Sequence, residues 1–226
     1  MIYIGMDDTD TLHSRGTGHL ARVVAADLAS DLCIAGVTRH QLLEDARVPC
    51  TAKNSCAAIL VDDEVDLDSL FARVKTMMLS SFIPGSDPGL CICKDVPPAV
   101  VAYGERVKQT LVTQMEAREL ARLHDVHLEG LGGDEDGVIG ALAAVGLAAS
   151  GDDGRYVQIG AIRDLTGMAV VADVLEAGVA RVETLDGQRI ETGLVLADKL
   201  RPARRGGEPV IIVEPMADGW RPLKLN

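Results

Sequence analysis

Residues 1–20 read MIYIGMDDTDTLHSRGTGHL. Ile2–Tyr3–Ile4 followed by Gly5 is a short apolar run, which predicts a buried strand. The run ends at Asp7–Asp8–Thr9–Asp10, three carboxylates within four residues. Arg15–Gly16–Thr17–Gly18 then feeds an Ala- and Leu-rich segment, His19 to Ser30. Its apolar residues fall three and four apart, which predicts a helix. Strand, acidic loop, glycine turn and helix together open an α/β fold. Ligand sites in open α/β sheets lie beyond the carboxyl ends of strands, where this loop falls.

The rest of the chain continues the alternation. Residues 33–38 and 57–61 are apolar strand candidates, and 66–79 has helical spacing at Leu67, Leu70 and Val74. Residues 85–89 form a loop, and 105–124 is expected as one long helix. A second glycine-rich loop, 130–137, opens a helix over 138–149. After Arg155 the texture becomes β-like, and 182–190 predicts a hairpin turning at Asp186–Gly187. The expected fold class is α/β, a mixed sheet with flanking helices, followed by a smaller β-rich or ferredoxin-like part. The expected domains are 1–125 and 126–226.

The 226-residue chain is 47% hydrophobic and 25% charged but only 3% aromatic, so its core is built from Ala, Val, Leu and Ile. No apolar run approaches the roughly 20 residues of a membrane helix, and no basic leader precedes the first strand, so a cytoplasmic location is expected. The five cysteines include no C-x-x-C pair, which favours buried structural thiols over metal or redox roles. A net charge of −12 repels nucleic acid in bulk. Lys199, Arg201, Arg204 and Arg205 form the one basic run, either a solvated loop or a phosphate contact.

Three carboxylates beyond a buried strand are costly unless a cation sits among them. Alternation along an extended chain would set Asp8 and Asp10 on one face with Asp7 turned away. Oxygen ligands of this kind suit Mg²⁺, which keeps several waters and bridges phosphate oxygens. Asp7, Asp8 and Asp10 are therefore candidate metal ligands. Gly16 and Gly18 allow backbone amides to approach a phosphate at a helix N-terminus, with Arg15 as the accompanying cation. The structural alternative is a helix-entry loop whose aspartates cap and bend the backbone. No G-x-x-x-x-G-K-[ST] motif and no kinase signature set is present.

Ile4–Gly5–Met6–Asp7–Asp8–Thr9–Asp10 with Arg15–Gly16–Thr17 resembles the opening of the archaeal tRNA-isoleucine agmatinylcytidine synthetases. Further stretches fit in order: Val48–Pro49 with Thr51, Lys53 and Asn54; Asp87–Pro88–Gly89; and Gly137–Val138–Ile139–Gly140 running on to Gly146. The likeness covers roughly residues 1 to 165. It implies an ATP-dependent, kinase-type module over 1–125 that phosphorylates a cytidine carbonyl oxygen so that agmatine can displace the phosphate. It implies ATP and Mg²⁺ as cofactors, Asp8, Asp10 and Thr17 as catalytic residues, and nucleotide contacts from Lys53, Asn54 and Gly137. The chain departs from that pattern in three ways: it is too short for the family's OB-like module and zinc ribbon, Asp134–Glu135–Asp136 replace a basic lead, and nothing after Ala161 has a counterpart.

Those departures and the net charge lead to the expectation that tRNA is a disfavoured partner. The expected acceptor is then a small molecule, or a group delivered by a partner protein, activated by Mg·ATP. Three alternatives remain open: tRNA modification as in the family, a non-catalytic nucleotide-binding module, and a haloacid-dehalogenase-like phosphatase using Asp8-x-Asp10.

Overall fold

The structure, a computed structural model, describes residues 1–48, 50, 51 and 53–224. Its first elements are β1 (Ile2–Asp7), α1 (Thr17–Leu28), β2 (Ile34–Gln41), β3 (Ser55–Val61), α2 (Leu67–Ser80) and β4 (Gly89–Lys94). β1 lies between β3 and β4, antiparallel to both, with Ile4 opposite Ile59 and Ile92. The strand order β4-β1-β3-β2 is the split β-α-β-β-α-β arrangement. Ile2, Ile4, Met6, Ile59 and Ile92 bury one face of these strands with Val24 and Leu28 of α1 and Leu70 and Val74 of α2. Side chains alternate along a strand, so the intervening residues need cover on the other face.

That cover comes from α3 (Pro98–Val107), α4 (Gln114–Leu123), β5 (His127–Gly130) and α5 (Gly137–Ser150). β5 extends the sheet beyond β4. α5 is apolar all round and buried almost all round, as a helix enclosed between layers must be. At its glycine contacts it meets the strands backbone to backbone. A Cβ on Gly5 would meet the Ala141 carbonyl oxygen at 2.1 Å, and one on Gly89 would meet Gly137 at 2.2 Å. On the outer side, a Cβ on Gly146 would meet the Val100 carbonyl of α3 at 2.1 Å. Cys56, Cys91 and Cys93 are buried in this layer. Cys33 and Cys50 are exposed, so the expectation of buried structural thiols does not extend to those two.

The single helix expected over 105–124 is two. α3 ends at Val107, and α4 restarts after Thr113, whose side chain accepts from the Glu116 amide while Glu116 returns a bond to the Thr113 amide at 2.8 Å. That reciprocal capping box marks a helix start.

The remainder comprises β6 (Arg155–Gln158), β7 (Met168–Val170), α6 (Val171–Glu176), β8 (Arg181–Thr184), β9 (Leu194–Leu196), β10 (Ala203–Arg205), β11 (Glu208–Met216) and β12 (Gly219–Pro222). β6 pairs with β2 on one side and β10 on the other, joining both halves in one 12-stranded mixed sheet among the described residues. The expected hairpin over 182–190 is reduced to one bridge, Glu183 to Arg189, because β8 pairs in parallel with β11 instead. The later strands share a separate core that includes Ile162, Val182, Val195, Leu200 and Ile211. β5 and α5 pack with the first core, so we propose that the chain divides after α5 and not at residue 125. Among the described residues no helix is long and apolar enough to cross a membrane.

A buried polar network closes the seam. His40 is wholly buried, with Nδ1 2.9 Å from Asp153 and Nε2 2.8 Å from the Thr38 hydroxyl. Lys108 pairs with the other Asp153 oxygen. Burial lowers the His40 pKa against the opposing bond and charge of Asp153; burial also opposes ionisation of Asp153, but the bonds from His40 and Lys108 hold its carboxyl below the usual range.

The glycine contacts predict the stability of simple variants. Gly5→Ala forces α5 off β1 and should lower unfolding stability by about 3 kcal/mol. At Gly18 a Cβ meets nothing within 4 Å, and Gly18→Ala should be neutral or stabilising by up to about 1 kcal/mol. Urea unfolding with equal midpoints for the two variants would disprove the close packing.

Candidate functional site

β1 ends under the N-terminus of α5. Asp7, its last residue, continues the face of Gly5 and sits against Gly140, whose missing Cβ would lie 1.7 Å from an Asp7 carboxylate oxygen. Asp8 takes the left-handed backbone conformation, φ 49°, which Asp tolerates better than most residues. That turn breaks the alternation expected from Asp7 to Asp10. The Asp8 carbonyl accepts from the Asp87 amide at 3.1 Å, tying the loop to the segment before β4.

Asp10 turns toward α1. Its Oδ1 accepts from the Thr17 amide and hydroxyl, both at 3.2 Å, and its Oδ2 accepts from the Thr51 hydroxyl at 2.9 Å. The Thr9 hydroxyl donates to Thr17 Oγ1 at 3.2 Å. Asp10 thus caps α1 as the structural alternative requires, and the Thr17 hydroxyl is committed within the loop. The three carboxylates point to three places. Among the described residues no group of three or more His, Cys, Asp or Glu side chains is arranged to hold a metal ion.

Two adjoining cavities open here. The larger, about 500 Å³, is lined by Asp7, Asp8, Asp10, Asp87 and Asp136 together with Asn54, Lys53 and apolar Leu42, Leu43, Val112 and Ile139. The smaller, about 370 Å³, is lined by Gly16, Gly18, His19, Arg39 and Lys53. Asp10, Thr17, Thr51, Lys53 and Ser55 belong to both walls. One chamber is therefore acidic, and its neighbour offers cations and the start of a helix.

Of the residues expected from sequence, Asp7, Asp8, Asp10, Thr17, Gly16, Gly18, Lys53 and Asn54 come together around this pair of cavities. Arg15 does not, being exposed with a guanidinium nitrogen 3.3 Å from His19. Gly137 lines neither cavity either; it packs on Gly89 and donates its amide to the Asp87 carbonyl at 3.0 Å. Asn54 holds the β2–β3 connection by donating to the Leu43 carbonyl at 2.9 Å. Pro49, part of the loop resemblance, lies outside the described residues. Sequence reading missed Arg39, whose guanidinium bonds Ser55 at 2.6 and 2.9 Å, and Asp136 and Thr51 as cavity walls. Asp87 was signalled only by its place in an Asp-Pro-Gly step.

The acidic chamber perturbs its own groups. Burial raises the Asp7 pKa to about 7, with the Asp8 amide opposing and the Asp8 and Asp10 charges adding. Burial and then the charge of Asp87, followed by Asp10 and Asp136, raise Asp8 to about 6. Uncompensated negative charge of this kind is the electrostatic complement of a cation.

No family model matches the sequence. Over 154 residues it is 29% identical to the tRNA(Ile2) 2-agmatinylcytidine synthetase TiaS of Methanopyrus kandleri, covering 66% of this chain and 34% of that protein. Over that span the chain is similar to TiaS. It spans about a third of the length of the curated relative it matches. The crystal structure of a TiaS–tRNA(Ile2)–ATP complex superposes with a TM-score of 0.57 at 19% identity, over 64% of this chain and 36% of that one. A tRNA fluorescent labeling enzyme superposes at 0.58 and 20%, over 64% and 35%. At such identities the structural likeness is one of fold, the mixed α/β sheet with flanking helices. The expectation that tRNA is a disfavoured partner is corrected by these relatives, one named for tRNA(Ile2) and one crystallised with it and ATP. Net charge was the wrong guide because it averages over a whole surface, whereas phosphate contacts are local.

The buried acid gives a signed pH dependence. With its folded pKa near 7 against 3.8 for the free acid, Asp7 binds more protons in the native state between about pH 4 and 7. Stability of the ligand-free protein therefore falls as pH rises through that window, by roughly 1.4 kcal/mol per pH unit at most. Asp7→Asn should match wild type near pH 4 and exceed it near pH 8 in thermal unfolding. A stability difference that does not change with pH would show that Asp7 ionises normally.

Proposed function

We propose that the chain is an ATP-using, tRNA-modifying enzyme, or the phosphoryl-transfer part of one, in which Mg·ATP occupies the paired cavities and activates a group on the RNA. The observation that carries this reading is the division of one site into an acidic chamber and a cationic neighbour sharing Asp10, Thr17 and Lys53. The TiaS-likeness supports the choice of ATP and tRNA.

The donor set fits a magnesium ion. Mg²⁺ is usually held by one or two carboxylates plus waters and substrate phosphates, so a three-carboxylate cage is not required. Asp8 is the first such ligand, since among the described residues no side-chain partner neutralises it, and burial followed by acidic neighbours raises its pKa. Asp10 contributes from the shared wall while still capping α1. Bound Mg²⁺ would supply charge neutralisation of the phosphates in an in-line transfer. The chain's own groups do the rest. Lys53 and Arg39 neutralise phosphate charge, the Gly16–Gly18 turn offers close backbone approach, and Asn54 fixes the loop that carries Lys53. Thr17, with its hydroxyl shared between Thr9 and Asp10, positions the acidic loop. The apolar wall of Leu42, Leu43, Val112 and Ile139 suits the flat face of a base.

The phosphatase alternative needs Asp8 and Asp10 side by side on one substrate. Asp10 is instead tied to Thr17 and Thr51, so that reading loses its support.

Calorimetry with ATP in the presence of Mg²⁺ tests the assignment. Asp8→Asn should weaken binding tenfold or more, about 1.4 kcal/mol, and Lys53→Ala should do the same, whereas Arg15→Ala should leave ATP affinity unchanged. Equal affinity in wild type and Asp8→Asn would refute the metal-nucleotide site. A second measurement addresses the substrate: ATP consumption should rise on adding tRNA, and consumption indifferent to tRNA would refute the tRNA-modifying role.

A further inference from the structure

Arginines such as Arg73, Arg118 and Arg181 sit against carboxylates. Nine others do not: among the described residues, Arg15, Arg22, Arg39, Arg155, Arg163, Arg189, Arg201, Arg204 and Arg205 have no carboxylate at ion-pair distance. Six of the nine, Arg15, Arg22, Arg39, Arg155, Arg163 and Arg201, gather on one side of the molecule.

The backbone puts them there. Arg39 and Arg155 are direct partners across β2 and β6, an arrangement in which like charges are destabilising. Val37 and Val157, two residues from each, belong to the core beneath α1, so both arginines face the α1 side. From the opening of α1, Arg15 and Arg22 flank His19 at 3.3 and 3.4 Å from its ring nitrogens, and Arg22 donates to the Gly18 carbonyl at 3.2 Å. Arg163 is drawn back to β6 by a 3.2 Å bond to the Val157 carbonyl. Arg201 precedes Pro202, whose carbonyl accepts from the Tyr156 amide of β6 at 2.7 Å. Burial, followed by repulsion from other members of the same set, holds Arg22, Arg39 and Arg201 below the usual arginine value.

The basic run expected over 199–205 therefore divides. Arg204 is buried, with Nε bonded to the Ala148 carbonyl at 2.9 Å and Nη1 to Tyr156 and Gly207. Arg205 bonds the Asp152 carbonyl at 3.1 Å. Only Arg201 joins the tract.

Six like charges without internal neutralisation call for counter-charge from outside. They come from the opening and body of α1, from two strands, and from the 159–163 and 199–202 connections. A chain of regularly spaced phosphates supplies counter-charge at several successive points, and the planar guanidinium fork matches phosphate in two hydrogen bonds. Arg39 and His19 also line the smaller cavity, so the tract leads directly to the acidic chamber. Resting on the tRNA reading above, we propose that this arginine tract is an RNA-backbone surface, completed from the C-terminal part by Arg163 and Arg201. It positions the RNA without reading its sequence, as phosphate contacts do.

Fluorescence anisotropy with labelled tRNA, titrated from about 50 to 200 mM salt, tests this. The variant Arg163→Ala with Arg201→Ala should bind roughly tenfold more weakly at intermediate salt, with a salt slope shallower by about two. Its thermal unfolding and its ATP affinity should equal wild type. Arg163→Glu alone, at an exposed position, should weaken RNA binding further than Arg163→Ala. If the double variant binds tRNA with wild-type affinity and slope, the tract is wrong while the tRNA reading stands. If wild type binds ATP but no tRNA, the tRNA reading itself fails and the tract with it. An acidic peptide of matched charge that competes as well as tRNA would make the tract a protein-docking surface and overturn the proposal.

Discussion

Everything near the site depends on how closely α5 lies on β1 and β4. Gly5, Gly89, Gly137 and Gly140 remove the side chains that would normally hold a helix about 10 Å from a sheet, and backbone meets backbone. Two consequences follow. The N-terminus of α5 is brought down to the carboxyl end of β1, and Asp7 is packed against Gly140 at the wall of the larger cavity. A core with so few aromatic rings is suited to this arrangement, because Ala and Gly leave the clearance that larger residues would fill. The acidic chamber is in this sense a by-product of packing: the loop has nowhere to go but outward, through the left-handed turn at Asp8.

Electrostatics then divides the surface. Carboxylates concentrate in one cavity, and unpaired guanidiniums lie along the adjoining face. Neither arrangement favours the empty protein. Burial and mutual repulsion raise Asp7 and Asp8 and depress Arg22, Arg39 and Arg201. Groups perturbed by environment cluster at functional sites, although structural networks perturb them too. The two kinds are separable here. His40, Asp153 and Lys108 satisfy one another, whereas among the described residues the chamber carboxylates and the arginine tract have no oppositely charged group at ion-pair distance.

Much of the fold was legible in the sequence because local signals agreed with tertiary ones. The apolar run of β1, the spacing of α1 and α2, and the uniform apolarity of α5 each gave the right element at nearly the right bounds. The misreadings have specific causes. Apolar spacing continues across 108–113 and makes 105–124 look like one helix, whereas the capping pair Thr113 and Glu116 starts a second one. The hairpin over 182–190 had correct turn chemistry, but β11 offered β8 a longer parallel partner. At the site, residues within one loop were legible and residues converging from distant strands were not. Arg39 carries no motif; only the pairing of β2 with β6 gives it a place. Arg15 and Gly137 sat in the right stretches and face elsewhere, since adjacency in sequence does not say which way a side chain turns.

The buried network around His40 has a consequence for how this chain tolerates insertion. Asp153 is clamped between Gly151 and Gly154, both at positive φ, and a Cβ on Gly154 would strike the Arg39 carbonyl and the His40 ring at 2.5 Å. The clamp fixes how many residues separate the end of α5 from the first residue of β6. A strand that slips by one residue turns every side chain to the opposite face. Lengthening this connection by a single residue would therefore swing Arg155 inward toward His40 and carry Tyr156 outward. The four-residue turn acts as a spacer, and the face on which the C-terminal half displays its charge is set by its length.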